Sequence, residues 1–297
     1  NNGQPFKARL PCRELTSREW LVAKLGRQYT RMISRQIFTY GVIFHLTGDL
    51  KALQHARAGV DYLRKNLLDG SQGVITYIGK DGKAGYAATQ RTSQDLAYAL
   101  LGMAKVYYLT GDPALLADLI KVKRYIFNRY RDAENDMLSW VLADSEDQAA
   151  DQQELVAQLD QINAYMLLLY PLLPATEQEL WKEDLVWLAD VLRDRFHADA
   201  ELRFYGYLHE PSGKLHQSRH GDFGHASKAY WMLYLLGIEL KDEELENWAE
   251  RGLLSVLDRA YGEVALMEVV DSQKVQARKM NQLGRKIRYM EPLHYNS

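Results

Sequence analysis

The chain has 297 residues, of which 47% are hydrophobic and 26% charged, a composition typical of soluble globular proteins with one large domain or two ordinary ones. Its formal net charge of -2 gives no electrostatic reason to expect nucleic acid or an anionic membrane as a partner. No apolar run reaches the roughly 18 residues that a membrane span needs. The single cysteine, Cys12, excludes an internal disulfide framework and a multi-cysteine zinc site. No secretory signal is visible, which favours a cytoplasmic location, although a start at Asn1 is also compatible with cleavage or truncation.

Helical periodicity dominates from about residue 18 onward. A long helical pattern runs to Phe44 and ends at Leu46-Thr47-Gly48-Asp49, after which Asp49 can cap a second helix that ends near Asp69-Gly70. Residues 71–90 are rich in glycine, and Gly79-Lys80-Asp81-Gly82 predicts a tight turn between two extended arms. The helical pattern then resumes at Ser93.

The phrase Leu46-Thr47-Gly48-Asp49 recurs as Leu109-Thr110-Gly111-Asp112, so that Asp49 and Asp112 lie 63 positions apart. Weaker versions follow at 172–176 and 235–238. Helical hairpins at this period, joined by long loops, predict an all-α protein with an (α/α)₆ barrel and with loops 71–90, 133–152 and 198–222 at one rim. Six such hairpins would exceed 297 residues, so we expect roughly one to be missing or altered. We expect one domain over 1–297, with irregular ends at 1–17 and 289–297.

The stretch from Arg219 to Met232 combines two glycines, two histidines and an aspartate with the start of an apolar helix. Asp222 is a plausible N-cap, and His225 falls in the first helical turn. The positive end of the helix dipole disfavours imidazolium there, so a neutral base near pH 7 is physically reasonable. A histidine that only caps the helix or pairs with Asp222 fits the same residues.

Polar side chains inside apolar helices provide further candidates. Arg27, Arg31 and Arg35 recur every four residues, which places them on one helical face beside apolar positions. Asp160 and its neighbours Gln161 and Asn163 interrupt another apolar run, where they either join helices or face a polar cavity. Paired carboxylates for glycoside hydrolysis are an open alternative, with Asp95, Asp160 and Asp222 as the candidates.

Four histidines lie within 17 residues: His209, His216, His220 and His225. Their spacing matches no zinc template, so we expect no metal. Nucleotide-binding glycine motifs are also absent from the sequence, which gives no indication of a nucleotide cofactor. The 19 tyrosines and 6 tryptophans fit a carbohydrate ligand, because their rings combine an apolar face with a polar tip, although large helical cores use tyrosine as well.

Taken in order, five segments resemble the N-acylglucosamine 2-epimerase family of sugar epimerases and aldose–ketose isomerases. The segments are Tyr29 to Tyr40, Gly59 to Leu63, Ser93 to Ala99, Gln161 to Met166, and Phe223 to Trp231. The resemblance implies an (α/α)₆ barrel that acts on a small carbohydrate as a monomer or homodimer. It also implies proton transfer by histidines at C2 of the opened sugar, without metal or cofactor.

The resemblance also implies roles for individual residues. His225 corresponds to an acid/base histidine, Arg35 to an arginine that holds sugar oxygens, and Asn163 to a pocket asparagine of the middle helix. Trp231 lies in the family's Gly-His-x-x-Glu-x-x-Trp region. The remaining substrate-binding candidates are Gln94, Asp95 and Lys228.

Three positions depart from the family pattern. Lys228 stands where the family commonly has glutamate, and Leu167 stands where a pocket histidine is expected. The last family histidine has no clear counterpart, and His294 is a poor candidate for it. A sugar-binding or inactive member is therefore one alternative to an epimerase or isomerase, and a barrel hydrolase or lyase is the other.

Overall fold

A computed structural model describes residues 26–68, 70, 73–79, 81–85, 92–142, 152–209, 215–217 and 223–267. Helices dominate this part of the chain and pair into four antiparallel hairpins. Their bounds are α1 Thr30–Thr47, α2 Leu50–Asn66, α3 Ser93–Thr110, α4 Pro113–Tyr130, α5 155–169, α6 Ala175–Val191, α7 Phe223–Leu240 and α8 Glu243–Met267. The predicted irregular ends, the predicted cap at Asp222 and His294 lie outside the described residues.

Two π-helical turns occur in the third hairpin, one inside α5 and one directly after α6. In α5, the α-helical segment Leu155–Gln161 continues as a π-helix over Ile162–Met166 and as an α-helical turn over Leu167–Leu169. A second π-helical turn, Leu192–Phe196, follows α6. A π-turn inserts one residue into the helical register and so re-aims the side chains on either side of it.

The hairpin turns explain the repeated phrase. Gly48 and Gly111 adopt left-handed conformations, with φ of 71° and 65°, and end α1 and α3. The carboxylates of Asp49 and Asp112 then accept the backbone N–H groups two residues ahead, at 2.9 Å in both cases, and cap α2 and α4. The predicted 63-residue repeat is therefore confirmed for the first two hairpins.

The third and fourth turns use other residues. Tyr170–Leu172 forms a 3₁₀ turn, and α6 starts after Pro174, which has no side-chain cap. In the fourth hairpin, the weaker repeat at 235–238 lies inside α7. The chain turns later, at Lys241 and Asp242, where Lys241 has a left-handed φ of 58° and Asp242 accepts the N–H of Leu245.

The first helices of the four hairpins run parallel to one another and form an inner layer. Contacts link Arg31 of α1 to Asp95 of α3, and Asp160 of α5 to Lys228 of α7, so their N-terminal ends lie together. The second helices lie outside them. The Lys123–Asp184 ion pair, for example, joins α4 to α6.

The described residues outside the helices form ten short strands, and all the pairings among these strands are antiparallel. They are β1 Arg27–Tyr29, β2 Tyr77–Gly79, β3 Ala84–Gly85, β4 Arg131–Asp132, β5 Met137–Leu138, β6 Gln152–Glu154, β7 His197–Ala198, β8 Arg203–Phe204, β9 Tyr207–His209 and β10 Leu215–Gln217. The sheet orders are β1-β2-β3, β10-β9-β6, β4-β5 and β7-β8. The predicted turn after Gly79 is confirmed as the link between β2 and β3.

The long loops gather at the N-terminal ends of the inner helices. The N–H of Thr30, at the start of α1, donates to the carbonyl of Thr76 at 3.0 Å. In the next two hairpins, Ser93 and Leu155 make the corresponding bonds to Trp140 and Gly206, at 3.1 and 2.9 Å. In their described parts, the three predicted rim loops therefore lie at the same end, as expected.

One buried cluster at the fourth hairpin combines aromatic rings with a histidine. Tyr230 of α7 is fully buried, and its hydroxyl lies 2.6 Å from Nε2 of His197. The ring of Phe204 lies 4.8 Å from that of Tyr230, and the ring of Trp248 lies 4.8 Å from that of His197. Burial lowers the pKa of His197, against the opposing effect of the exposed Asp199.

No helix in the described part of the chain is long and apolar enough to span a membrane.

Candidate active site

Polar side chains from all four inner helices meet near the loop end of the fold. Their centre is Asp160 of α5, whose side chain is fully buried. It accepts hydrogen bonds from Gln94 of α3 at 2.6 Å and from the hydroxyl of Tyr98 at 3.5 Å, and it forms an ion pair with Lys228 of α7. Three donors thus converge on one buried carboxylate.

The remaining inner helix, α1, contacts this cluster through two arginines. The guanidinium carbon of Arg35 lies 4.2 Å from the centre of the Tyr98 ring, and that of Arg31 lies 5.3 Å from it. Arg31 also forms an ion pair with Asp95 at 2.6 Å, whereas no carboxylate among the described residues pairs with Arg35. A cation over an aromatic face is favourable and leaves the guanidinium edge available for hydrogen bonds.

The predicted arginine stripe needs one correction. Arg27 does not lie on the helical face with Arg31 and Arg35, because α1 begins only at Thr30 and Arg27 belongs to β1. Its guanidinium is exposed and lies 4.4 Å from the centre of the Tyr77 ring. Residues four apart lie on one face only when both belong to the same helix, and Arg27 lies in an extended strand.

Asp95 stands at the start of α3, where the hydroxyl of Thr92 caps the helix by accepting the N–H of Asp95 at 3.0 Å. Burial raises the pKa of Asp95, because desolvation disfavours the charged carboxylate. The neighbouring Arg31 opposes that shift through its charge and its hydrogen bond. Burial and the hydrogen-bonding partners of Asp95, Arg31 and Thr92, therefore act on the pKa of its carboxyl group in opposite directions.

The predicted residues of α7 occupy its first two turns. Phe223 begins the helix, so His225 lies in the first turn, as expected, and is half-buried. Lys228 follows three residues later, a spacing that places neighbouring side chains about 5–6 Å apart between Cβ atoms. Trp231 is also half-buried, and its ring packs against the hydrophobic core.

The polar run in α5 divides into residues with different roles. Gln161 is fully buried and joins helices: its amide donates to the carbonyls of Ser93 and Ala157, and it accepts from the hydroxyl of Tyr165. Asp160 belongs to the polar cluster. Asn163 lies in the π-helical turn and is half-buried, and its side chain makes no hydrogen bond to another described residue.

A cavity of about 250 Å³ opens between the start of α1, the segment before β2 and the start of α3. Its lining includes Arg31, Met32, Thr76 and Asp95. Of the candidate residues named from the sequence, Arg31 and Asp95 line this cavity. The Arg31–Asp95 ion pair belongs to this lining, whereas Asp160 and Lys228 do not line the cavity.

Four of the predicted site residues are thus joined by contacts. Asp160 joins Gln94 to Lys228. The ring of Tyr98 lies under Arg35 and Arg31, and Arg31 pairs with Asp95. Tyr98 was not predicted to belong to the site, although it follows Gln94 by four residues and so shares its helical face. The positions of the other three candidates are known along their helices: His225 and Trp231 lie three residues before and after Lys228 on α7, and Asn163 lies three residues after Asp160 on α5. Within the described residues, no group of three or more histidine, cysteine, aspartate or glutamate side chains is arranged to hold a metal ion.

No protein-family model matches the sequence, and no curated protein does either. Solved structures do match. A sugar epimerase from a ruminal bacterium is 20% identical and has a TM-score of 0.66, with 78% of this chain and 60% of that one covered. The cellobiose 2-epimerase from Bacillus thermoamylovorans B4167 is 12% identical with a TM-score of 0.68, and the coverages are 80% and 61%.

A D-mannose isomerase is 14% identical with a TM-score of 0.64, covering 80% of this chain and 59% of that one. Glycoside hydrolases of family 76 match with lower TM-scores, 0.57 and 0.51. The chain therefore spans less than two thirds of the length of the epimerases and the isomerase. The parallel inner helices, the outer helices and the loops gathered at one rim thus have the (α/α)₆-barrel fold of these sugar epimerases and isomerases, of which the described residues form four hairpins.

Proposed function

We propose that the protein is a sugar 2-epimerase or aldose–ketose isomerase. The observation that carries the proposal is the convergence of polar groups from all four inner helices near the loop rim of a barrel that sugar epimerases share. Such a set of fixed donors and acceptors suits a polyhydroxylated ligand, while the half-buried ring of Trp231 supplies an apolar face.

In the proposed reaction, His225 removes the proton from C2 of an opened aldose. The C2–H bond breaks, its electron pair forms the C1–C2 double bond, and the carbonyl π electrons move to O1 to give an enediolate. Protonation of C2 on its opposite face, with the C1 carbonyl re-formed from O1, gives the epimer. Protonation of C1, with transfer of the O2 proton to O1 and formation of the C2 carbonyl, gives the ketose. His225 lies in the first turn of α7, at the end of the helix where the loops gather, and an imidazole there can accept a proton as a general base.

The other predicted residues hold the sugar in this proposal. Arg35 has an uncommitted guanidinium edge, and Asn163 has a side-chain amide without a described partner, so both can bind hydroxyl or carbonyl oxygens. Gln94, Asp95 and Lys228 are held by neighbours that fix their positions. Preorganised groups of this kind lower the entropic cost of orienting a flexible open-chain substrate.

Deuterium exchange tests the proposal directly. The protein is incubated with a panel of aldoses in D₂O, and NMR follows deuterium incorporation at C2. His225→Ala and His225→Gln should each slow exchange by about 10²–10⁴-fold, the usual contribution of acid–base catalysis. His55→Gln is the matched control, because His55 is exposed on α2 and stacks on Tyr40 away from the cluster. Exchange in either His225 variant above about a tenth of the parent rate would assign His225 a structural role.

Two further controls address cofactors and folding. Exchange should persist after treatment with EDTA, because the proposed proton transfer uses side chains alone. Circular dichroism of the His225 variants should match that of the parent. Loss of exchange on chelation, restored by a divalent cation, would replace this mechanism with a metal-assisted one.

Glycoside hydrolysis is the second candidate, and one observation favours it. Burial raises the pKa of Asp95, which is the property that a general acid needs. The ion pair of Asp160 with Lys228 weighs against Asp160 as its partner, since a nucleophilic or basic carboxylate must be free to reach the substrate. Hydrolysis of aryl glycosides that is lost in Asp95→Asn, without C2 exchange in the parent, would establish this alternative.

A further inference from the structure

The ion pair between Asp160 and Lys228 is unusual because of how deeply its carboxylate is buried. None of the Asp160 side chain is exposed, whereas 23% of the Lys228 side chain is. A buried carboxylate is costly unless several donors compensate for its lost hydration. Gln94 and Tyr98 supply two of these donors, and Lys228 supplies the third together with a full positive charge.

The ion pair fixes the ammonium group of Lys228 and uses one of its N–H groups. A lysine ammonium carries three N–H donors and no acceptor. One of the three is directed to Asp160, and no other described residue accepts from Lys228. Because 23% of the Lys228 side chain is exposed, it is open to the approach of an acceptor oxygen of a ligand.

Position along α7 links Lys228 to the proposed base. His225 and Lys228 are three residues apart on one helix, so their side chains are neighbours. A ligand atom that reaches His225 therefore has its adjacent oxygens within reach of Lys228. In the proposed reaction, His225 thus reaches the C2 proton while Lys228 reaches the oxygen that becomes negative as the proton leaves.

We propose that Asp160 is a positioning residue that holds Lys228 with its free N–H groups directed at the enediolate oxygen. The inference rests on the proposed function, because the enediolate forms only if His225 removes the C2 proton. In this arrangement Asp160 touches neither substrate nor proton. It acts through Lys228, and Gln94 and Tyr98 hold the carboxylate in place.

Asp160→Asn is the first test, because it keeps the size of the side chain and removes its charge. Removal of one preorganised donor to an oxyanion typically costs about 10²–10³ in kcat. We therefore expect kcat for C2 exchange to fall by about that factor, while KM changes less than about threefold, since the oxyanion is absent from the bound substrate. A variant that keeps more than a third of the parent kcat would overturn the proposal.

Asp184→Asn is the matched control. Asp184 forms a comparable ion pair with Lys123 between α4 and α6, where the Lys123 side chain is only 6% exposed, and both residues lie outside the polar cluster. This variant should lower stability and leave kcat within about twofold of the parent. An equal loss of kcat in both variants would show that any broken interhelical pair impairs the protein, and would overturn the proposal.

A transposed pair separates positioning from simple helix joining. Asp160→Lys combined with Lys228→Asp restores an ion pair between α5 and α7 but puts a carboxylate where the donors were. If the pair only joined helices, exchange would return with stability, and that result would overturn the proposal. We expect stability to recover while exchange stays at least about 10²-fold low. Lys228→Arg, which keeps the donors, should retain at least a tenth of the parent kcat.

Chemical labelling distinguishes failure of the proposal from failure of the proposed function. Acetylation of Lys228, followed by mass spectrometry without any sugar, should be slow in the parent and at least about tenfold faster in Asp160→Asn. The exposed Lys182 of α6 should label equally in both and serves as the internal standard. A parent without C2 exchange would refute the proposed function. Unchanged labelling of Lys228 would refute the positioning role whatever the sugar assay shows.

Discussion

Gly252→Ala should be strongly destabilising, because no space exists for the added methyl group. A Cβ atom built on Gly252 of α8 would lie 2.0, 2.3 and 2.5 Å from three carbon atoms of the Tyr230 ring. That ring cannot simply swing away. It is fully buried, packs at 4.8 Å against Phe204, and keeps its hydroxyl 2.6 Å from Nε2 of His197.

The magnitude follows from three effects. Overpacking of a core costs about 1–3 kcal/mol, and breaking the buried contact between Tyr230 and His197 adds about 1–3 kcal/mol. Alanine in place of glycine within a helix returns about 1 kcal/mol. The net loss is therefore about 1–5 kcal/mol, and the short contacts to a rigid ring favour the upper half of that range.

Urea unfolding followed by far-ultraviolet circular dichroism measures this loss. Gly70→Ala is the control, because a Cβ at Gly70 would meet no atom within 4 Å, and we expect a change within about 0.5 kcal/mol. In a Tyr230→Leu background the ring is gone, so Gly252→Ala should be neutral or stabilising by up to about 1 kcal/mol. A loss below about 1 kcal/mol in the parent background, or an equal loss in both backgrounds, would refute the steric reasoning.

Three further predictions concern charges and a helix cap. Burial lowers the pKa of His197 more than Asp199 raises it, so His197 takes up a proton at a higher pH in the unfolded chain than in the folded protein. The free energy of unfolding should therefore fall as the pH drops below about 6.5, and His197→Gln should reduce this pH dependence in unfolding curves measured at several pH values. Arg31→Met should raise the already elevated pKa of Asp95 further, which carboxyl-carbon NMR titration measures; an unchanged value would mean that Arg31 does not oppose the effect of burial. Asp112→Ala should cost about 1 kcal/mol in thermal unfolding, because it removes the cap of α4, and no loss would mean that water replaces the cap fully.

Much of the fold could be predicted from the sequence because the repeated turns carry distinctive chemistry. A glycine can end one helix in the left-handed conformation, and the aspartate that follows can cap the next helix. This pair of residues therefore allowed the first two hairpin turns to be predicted. The fourth turn could not be found the same way. Lys241 takes the left-handed position without glycine, so the local signal was missing.

The candidate site was predictable only in part. The polar residues inside apolar helices marked α5 and α7, but the sequence could not show which of them faced one another. Gln161 and Asp160 are adjacent in the chain, yet one joins helices and the other anchors the polar cluster. The π-turn that carries Asn163 has no pattern in the sequence, since it depends on packing around α5 rather than on local propensity.

The loops that fold back on the start of their own hairpin have a consequence for how the chain opens. The bonds from Thr30 to Thr76, Ser93 to Trp140 and Leu155 to Gly206 close the first three units of about 63 residues upon themselves. Side-chain pairs such as Arg31–Asp95 and Asp160–Lys228 join successive units. Such an array behaves as a row of coupled segments whose cooperativity is set by nearest-neighbour interfaces. Native-state hydrogen exchange should therefore show separate opening free energies for successive units, with amides of α3 and α5, flanked on both sides, protected longest.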